Sequence, residues 1–155
     1  MEKPIKNYWI KRLTDLKAAL ESNNFEVFLA ENKEDLDEIE NQLSENLKPY
    51  LDLVSEVAHH ILFAGGKRLR PLLLVLAAKL CDYEDKYAKT VAAAMEYLHA
   101  ATLLHDDIID DAILRRGKKV AHSLYGNAVT VLVGDFLLAR ALAICADSGK
   151  IKVIH

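Results

Sequence analysis

From residue 87 to residue 116 the chain contains no glycine and no proline. A run of that length without either breaker specifies one long helix. Gly117 follows it, at the point where a left-handed cap is needed. The apolar residues of such a helix must be covered, so other helices have to pack around it. The rest of the chain agrees. It has 155 residues, 52% of them apolar, with only 6 Gly and 3 Pro. That is enough for one compact domain with a core, and the scarcity of turn residues favours helices over a β fold.

Periodicity places the other elements. Tyr8, Trp9, Leu13, Leu16 and Leu20 form one helical stripe, and Asn23-Asn24 breaks it. Residues 25–29 read as a short second element. The acid-rich run 32–45 starts the next helix, with Leu36, Ile39 and Leu43 in step; its acids are expected on a solvated outer face. Pro49 marks a first turn or a kink. A helix over 50–63 should stop at Gly65-Gly66, and Pro71 can open the next, with 72–80 buried. Residues 81–85 read as a connection and Gly126-Asn127 as a turn. A last helix spans 128–147, ended by Ser148-Gly149. The expected architecture is all-α, a helical bundle without strands. Residues 1–45 form a charged helical leader and 46–155 the main helical domain.

Charge and cysteines narrow the partners. Twenty basic residues against 23 acidic ones give a net charge of -3. No excess positive field exists for a nucleic acid. Cys81 and Cys145 are isolated, with no metal-binding spacing, and are expected as buried free thiols in a reducing cytosol. The N-terminus has no apolar stretch of signal length. The most apolar run, 128–146, is broken by Asp135 and Arg140 and reads as a buried helix rather than a membrane span. A soluble, cytoplasmic protein is expected.

The chemistry sits on the long helix, in His105-Asp106-Asp107-Ile108-Ile109-Asp110-Asp111. Asp106 and Asp110 are four apart and share a face; Asp107 and Asp110 are neighbours at three. At about 100° per residue the four carboxylates fill an arc of roughly 140°. Such like charges oppose the helix, and their apolar surroundings make them costly without a counterion. A hard divalent cation such as Mg²⁺ answers that cost, bound by one or two carboxylates while waters and phosphates complete its shell. Alone, the cluster could equally be a surface acidic patch.

Cations flank it. Arg115 and Arg116 follow about one turn on, and Lys118 and Lys119 come just after Gly117. Upstream, Gly65-Gly66-Lys67-Arg68-Leu69-Arg70-Pro71 sets three cations in a glycine-rich junction ahead of a helix. Glycine lets an anion approach the backbone, and Arg grips phosphate oxygens bidentately. His99 lies seven before Asp106, on nearly the same face, with Glu96 close to it; it could donate to a phosphate, or it could be an ordinary paired core histidine. His59, His60, His105 and His122 read as structural. A metal phosphohydrolase using His105-Asp106, with His59 or His60, is disfavoured, because adjacent helical residues point about 100° apart and chelate one ion poorly.

Taken together, the Gly65-to-Pro71 junction, Glu96 with His99, the Asp-rich segment with its Arg115-Arg116-Gly117 tail, and Gly134-Asp135-Phe136-Leu137-Leu138 resemble the trans-isoprenyl diphosphate synthases, or polyprenyl synthetases. The resemblance covers about half of the chain and corresponds to the N-terminal half of that fold. It implies that Asp106, Asp107 and Asp110 hold Mg²⁺ against an allylic diphosphate, with Arg115 on the same group. It implies that Lys67, Arg70, His99 and Arg116 bind isopentenyl diphosphate. The implied enzyme is a prenyltransferase and a homodimer. Ala101, Thr102 and Leu98, one and two turns before the acids, include no aromatic residue, which points to a medium- or long-chain all-trans product; geranylgeranyl diphosphate is the alternative. The family's second aspartate-rich motif has no counterpart here, so the chain by itself is expected to lack full synthase activity unless another chain completes the site. A non-catalytic helical partner is the competing expectation. Lys119-Val120 stands where the family has Pro-Thr.

Overall fold

The computed structural model describes residues 4–22, 25–47, 52–83 and 87–147. In chain order the elements are α1 (Pro4–Glu21), α2 (Phe25–Glu31), α3 (Lys33–Leu47), α4 (Asp52–Leu62), α5 (Leu69–Leu80), α6 (Tyr87–Ile109), β1 (Leu114–Arg115), β2 (Lys118–Lys119), α7 (Ala121–Tyr125) and α8 (Asn127–Ala146). The fold is all-α, as the composition requires. The expected breaks at Asn23-Asn24, Pro49 and Ser148-Gly149 lie outside the described residues.

The long helix is the axis of the core. Ala92, Ala93, Tyr97, Ala100, Ala101 and Leu104 of α6 meet Ile39, Leu43 and Leu47 of α3, Val57, Ala58 and Ile61 of α4, and Val133, Leu137 and Ile144 of α8. Small residues at every turn of α6 let the neighbouring helices approach closely. Tyr97, fully buried, donates its hydroxyl to the Leu43 carbonyl and so ties α6 to α3. A smaller cluster, Leu16, Ala19 and Phe28 with Leu72 and Leu76, docks α1 and α2 onto α5. The division at residue 45 therefore falls inside α3, a helix that is part of the main core.

Three expectations are corrected here. The acids of α3 are not all solvated. Asp35 is buried and accepts from Lys79 at 2.6 Å; Lys89 lies near it and pairs with Glu38; Glu40 holds Arg68. These pairs join α3 to cations far along the chain, which a helical stripe read alone cannot reveal. The thiols are not buried either. Cys81 is exposed and Cys145 half-buried, its pKa pushed up by the burial it has.

The third correction concerns the end of α6. The helix stops at Ile109, not at Arg116. Asp111 takes the left-handed conformation (φ 49), its amide bonds to the Ile108 carbonyl, and the Ala112 amide reaches back to Asp107. This is a Schellman cap built without glycine. The chain then forms a two-residue hairpin, with Arg115 opposite Lys118 and Leu114 opposite Lys119. Its turn residues, Arg116 (φ 51) and Gly117 (φ 77), both have the positive φ of a type I′ turn. Gly117 serves that turn instead of capping a helix. Four carboxylates at the negative end of the helix dipole favour ending the helix among them.

Helix α8 is apolar except at Asp135, Arg140 and its first turns, yet covered on one side only. Val133, Gly134, Leu137, Ala141 and Ile144 face α6 and the core, while Leu132 and Leu142 are 67% and 64% exposed. Among the described residues it is the one helix long and apolar enough to cross a membrane. At Gly134 the backbone of α8 lies directly against the His105 ring of α6. A Cβ added there would lie 2.3 Å from His105 Nε2, and that nitrogen sits 3.3 Å from the Val131 carbonyl oxygen and 3.6 Å from an Asp135 oxygen. Gly134→Ala should therefore displace the His105 ring and destabilise the fold by about 1–3 kcal/mol. Urea unfolding reads this; a loss below about 0.5 kcal/mol would mean the ring has room to leave.

Candidate diphosphate and metal site

One cavity gathers the upstream cations. It has a volume of about 230 Å³ and is lined by Gly66, Lys67, Arg70, Glu96, His99 and Arg116, with Arg68 and the apolar Ile61, Leu62, Leu69, Ala100 and Leu103. All four residues expected to bind isopentenyl diphosphate thus border a single space. They arrive from three places: the junction formed by the loop after α4 and the first turn of α5, the middle of α6, and the hairpin turn. Gly66 faces Arg116, and a Cβ there would lie 2.9 Å from Arg116 Nη1, so glycine keeps room for the guanidinium.

The cavity is electrostatically positive at its rim. Burial pushes the His99 pKa down, and Arg70, Arg116 and Arg115 push the same way against Glu96. An anion entering here would reverse that pressure. Folded-state depression means that His99 favours the folded state above its unfolded pKa, about 6.5, and that this contribution is lost as pH falls through the lower folded value. Two outcomes follow. Stability should drop on acidification through and below that range, less so in His99→Gln. Inorganic pyrophosphate binding should take up more protons in the parent chain than in His99→Gln, seen as a difference in the buffer dependence of the calorimetric heat. The same buffer dependence in both chains would remove His99 from the site.

Arg68, the cation between Lys67 and Arg70, does not serve as a free phosphate ligand. Its Nε donates to Glu40 at 2.6 Å and its Nη1 to Glu96 at 3.1 Å. Burial alone would lower its pKa; the bonds and charges of Glu40 and Glu96 outweigh that and raise it.

The acids stand at the end of α6, two turns or about 10 Å beyond His99. They do not act as one cluster. The Asp110 amide bonds to the Asp106 carbonyl at 2.8 Å, so helical register holds and the two exposed carboxylates share a face. Asp107 turns inward. It is 2% exposed and takes Arg115 Nε at 3.0 Å and Nη2 at 2.7 Å. Asp111 has left the helix for its cap. Among the described residues no three His, Cys, Asp or Glu side chains converge as a ready-made metal cage. Asp106 and Asp110 nonetheless fit Mg²⁺, which needs only one or two carboxylates when waters and phosphates fill the remaining positions. Asp107 instead holds Arg115 through Nε and Nη2, and a guanidinium has donors beyond those two with which to bind a second anion. The hydrogen bond to Asp107 raises the Arg115 pKa, and Asp106 and Asp110 add to it. The hairpin thus divides its two arginines, Arg115 toward the acids and Arg116 into the cavity.

Sequence reasoning missed the hairpin and the pairing of Asp107 with Arg115. Gly117 was the available signal, since it suits the second position of a two-residue turn; Arg116 gave none, because that turn usually carries Asn, Asp or Gly there.

This fold places the chain in the all-α isoprenoid synthase class. Its sequence belongs to the polyprenyl synthetase family, whose profile matches residues 51–155. It is 43% identical over 111 residues to an octaprenyl diphosphate synthase of Escherichia coli, covering 72% of this chain and 34% of that protein. It is 41% identical to heptaprenyl diphosphate synthase component 2 of Bacillus subtilis, covering 70% of this chain and 31% of that one. A polyprenyl synthase from Caulobacter crescentus, solved with calcium and isoprenyl diphosphate, superposes with a TM-score of 0.75 at 40% identity, over 80% of this chain and 38% of that chain. The chain spans about a third of the length of the curated relatives it matches.

Proposed function

We propose that the chain carries the first aspartate-rich motif and the diphosphate cavity of an all-trans polyprenyl diphosphate synthase of medium or long product length, whose full reaction needs the rest of the site. The observation that carries this is the single cavity bordered by Lys67, Arg70, His99 and Arg116, two helical turns from Asp106 and Asp110. Isopentenyl diphosphate is held in the cavity by those four side chains. The allylic diphosphate is oriented at the acidic end of α6, where Arg115, braced by Asp107, donates to its oxygens. Magnesium, when bound by Asp106 and Asp110, supplies the positive charge that makes diphosphate a leaving group. The allylic C–O bond breaks with its electron pair going to the diphosphate. The double bond of isopentenyl diphosphate attacks the allylic carbon, and the resulting cation gives a proton to the released diphosphate, which restores a double bond. The protein's part is fixed electrostatics and alignment, with no nucleophilic side chain.

Leu98 and Thr102 are exposed on the α6 face below the acids, and Ala101 is buried. None blocks a growing tail, which supports the longer product; the octaprenyl and heptaprenyl activities named for relatives point the same way. The open apolar side of α8 supports association, and a cytoplasmic homodimer is the setting proposed.

The test is linkage. With Mg²⁺ and an allylic diphosphate at a hundred times its Kd, the melting temperature should rise by about 5–10 °C, the response to about 2.7 kcal/mol in a chain of this size. Neither component alone should give that rise. No shift at any concentration would mark the chain as an inert helical partner. Products formed with isopentenyl diphosphate are then sized by chromatography.

A further inference from the structure

Arg68 holds a backbone conformation that few arginines adopt. Its φ of 48° and ψ of 34° are left-handed, and a non-glycine residue stays there only where its surroundings over-determine it. The surroundings are specific. The guanidinium forks onto both oxygens of Glu40, at 2.6 and 3.3 Å, reaches Glu96 at 3.1 Å, and lies over the Phe63 ring at 5.3 Å from its centre. The Arg68 side chain is 9% exposed. Its grip therefore comes from α3, α6 and the end of α4 at once. Lys67 and Arg70, on either side of it, border the same cavity that Arg68 and Glu96 line.

We propose that Glu40 of α3, together with Glu96, is a positioning residue for the diphosphate cavity: by clamping Arg68, the residue that caps α5, it fixes the junction that presents Lys67 and Arg70. This rests on the cavity's assignment to a diphosphate. It extends the site to a helix that lies outside the matched family segment, residues 51–155. A lysine at 68 could not replace the clamp, because one ammonium cannot match the planar fork that Glu40 receives.

The sign of the effect separates positioning from simple charge. Glu40 is an anion close to a phosphate site, so removing its charge should tighten anion binding if only its field mattered. Positioning demands the opposite. The probe is inorganic pyrophosphate, titrated calorimetrically into the 155-residue chain well below its melting temperature. The parent should bind, and Lys67→Gln should lose most of that affinity, which tests the cavity itself. Glu40→Gln should weaken binding by about tenfold or more, as loss of a residue supporting a ligand does elsewhere. Glu40→Asp, which keeps the charge on a shorter arm, should recover part of the loss and provides a milder variant should Glu40→Gln fold poorly. In the Lys67→Gln, Arg70→Gln background, Glu40→Gln should cost nothing further, since the residues it positions are gone. Unchanged or tighter binding in Glu40→Gln, with the parent binding and Lys67→Gln not, would overturn the positioning role alone. Absence of binding by the parent would overturn the cavity's assignment and this inference with it.

Discussion

Changing Asp106 and Asp110 together to asparagine is expected to abolish the Mg²⁺-dependent stabilisation by an allylic diphosphate while making the unliganded protein slightly more stable. The two carboxylates share the exposed face at the end of α6, one helical turn apart. They repel one another and sit at the negative pole of the helix dipole, so neutralising them relieves the free chain by about 0.5–1.5 kcal/mol in all. The same change removes the oxygens that a hard cation needs, and asparagine carries no charge to replace them. The expected 5–10 °C rise of the parent should fall to within about 1 °C. Opposite changes in the two states are a signature that mere unfolding cannot produce. Should the double variant keep its full response to Mg²⁺ and diphosphate, the metal would have to bind elsewhere.

Arg115→Ala should give the largest loss of stability among the site variants, about 3 kcal/mol. Asp107 is almost entirely buried, and its oxygens are matched by the Arg115 fork. Removing the arginine strands a buried carboxylate. Asp107→Asn should cost less, because the arginine side chain, 30% exposed, can reach water instead. In the double variant most of the Arg115→Ala loss should be recovered, giving a coupling energy of at least about 1 kcal/mol in urea unfolding. Strict additivity would mean that the pair is not an energetic unit. Asp107→Asn should also retain part of the Mg²⁺ response, since Asp106 and Asp110 remain; loss of the whole response would return Asp107 to the metal.

Much of the fold was legible in the sequence. The breaker-free stretch specified the start and body of α6, though not its end, and the stripe Leu36, Ile39, Leu43 specified α3, because burying one side of a helix imposes a 3.6-residue period that survives in the sequence. Gly65-Gly66 and Pro71 bounded α4 and α5 for equally local reasons. Candidate site residues were legible where their chemistry is costly on its own: paired acids on an apolar helix, and clustered cations in a glycine-rich junction.

Only the tertiary structure decided which of these groups face one another. It ended α6 at Ile109 with a cap and a turn that place Asp111 and Arg116 in positive φ, where glycine is the usual marker. It turned Asp107 inward to Arg115, away from Asp106 and Asp110, and brought Glu40 to Arg68 across 28 residues of sequence. Periodicity records that a residue lies on a given side of its helix. It carries no record of what that side meets, and pairings between distant charges are settled by packing geometry and the cost of leaving a buried charge alone.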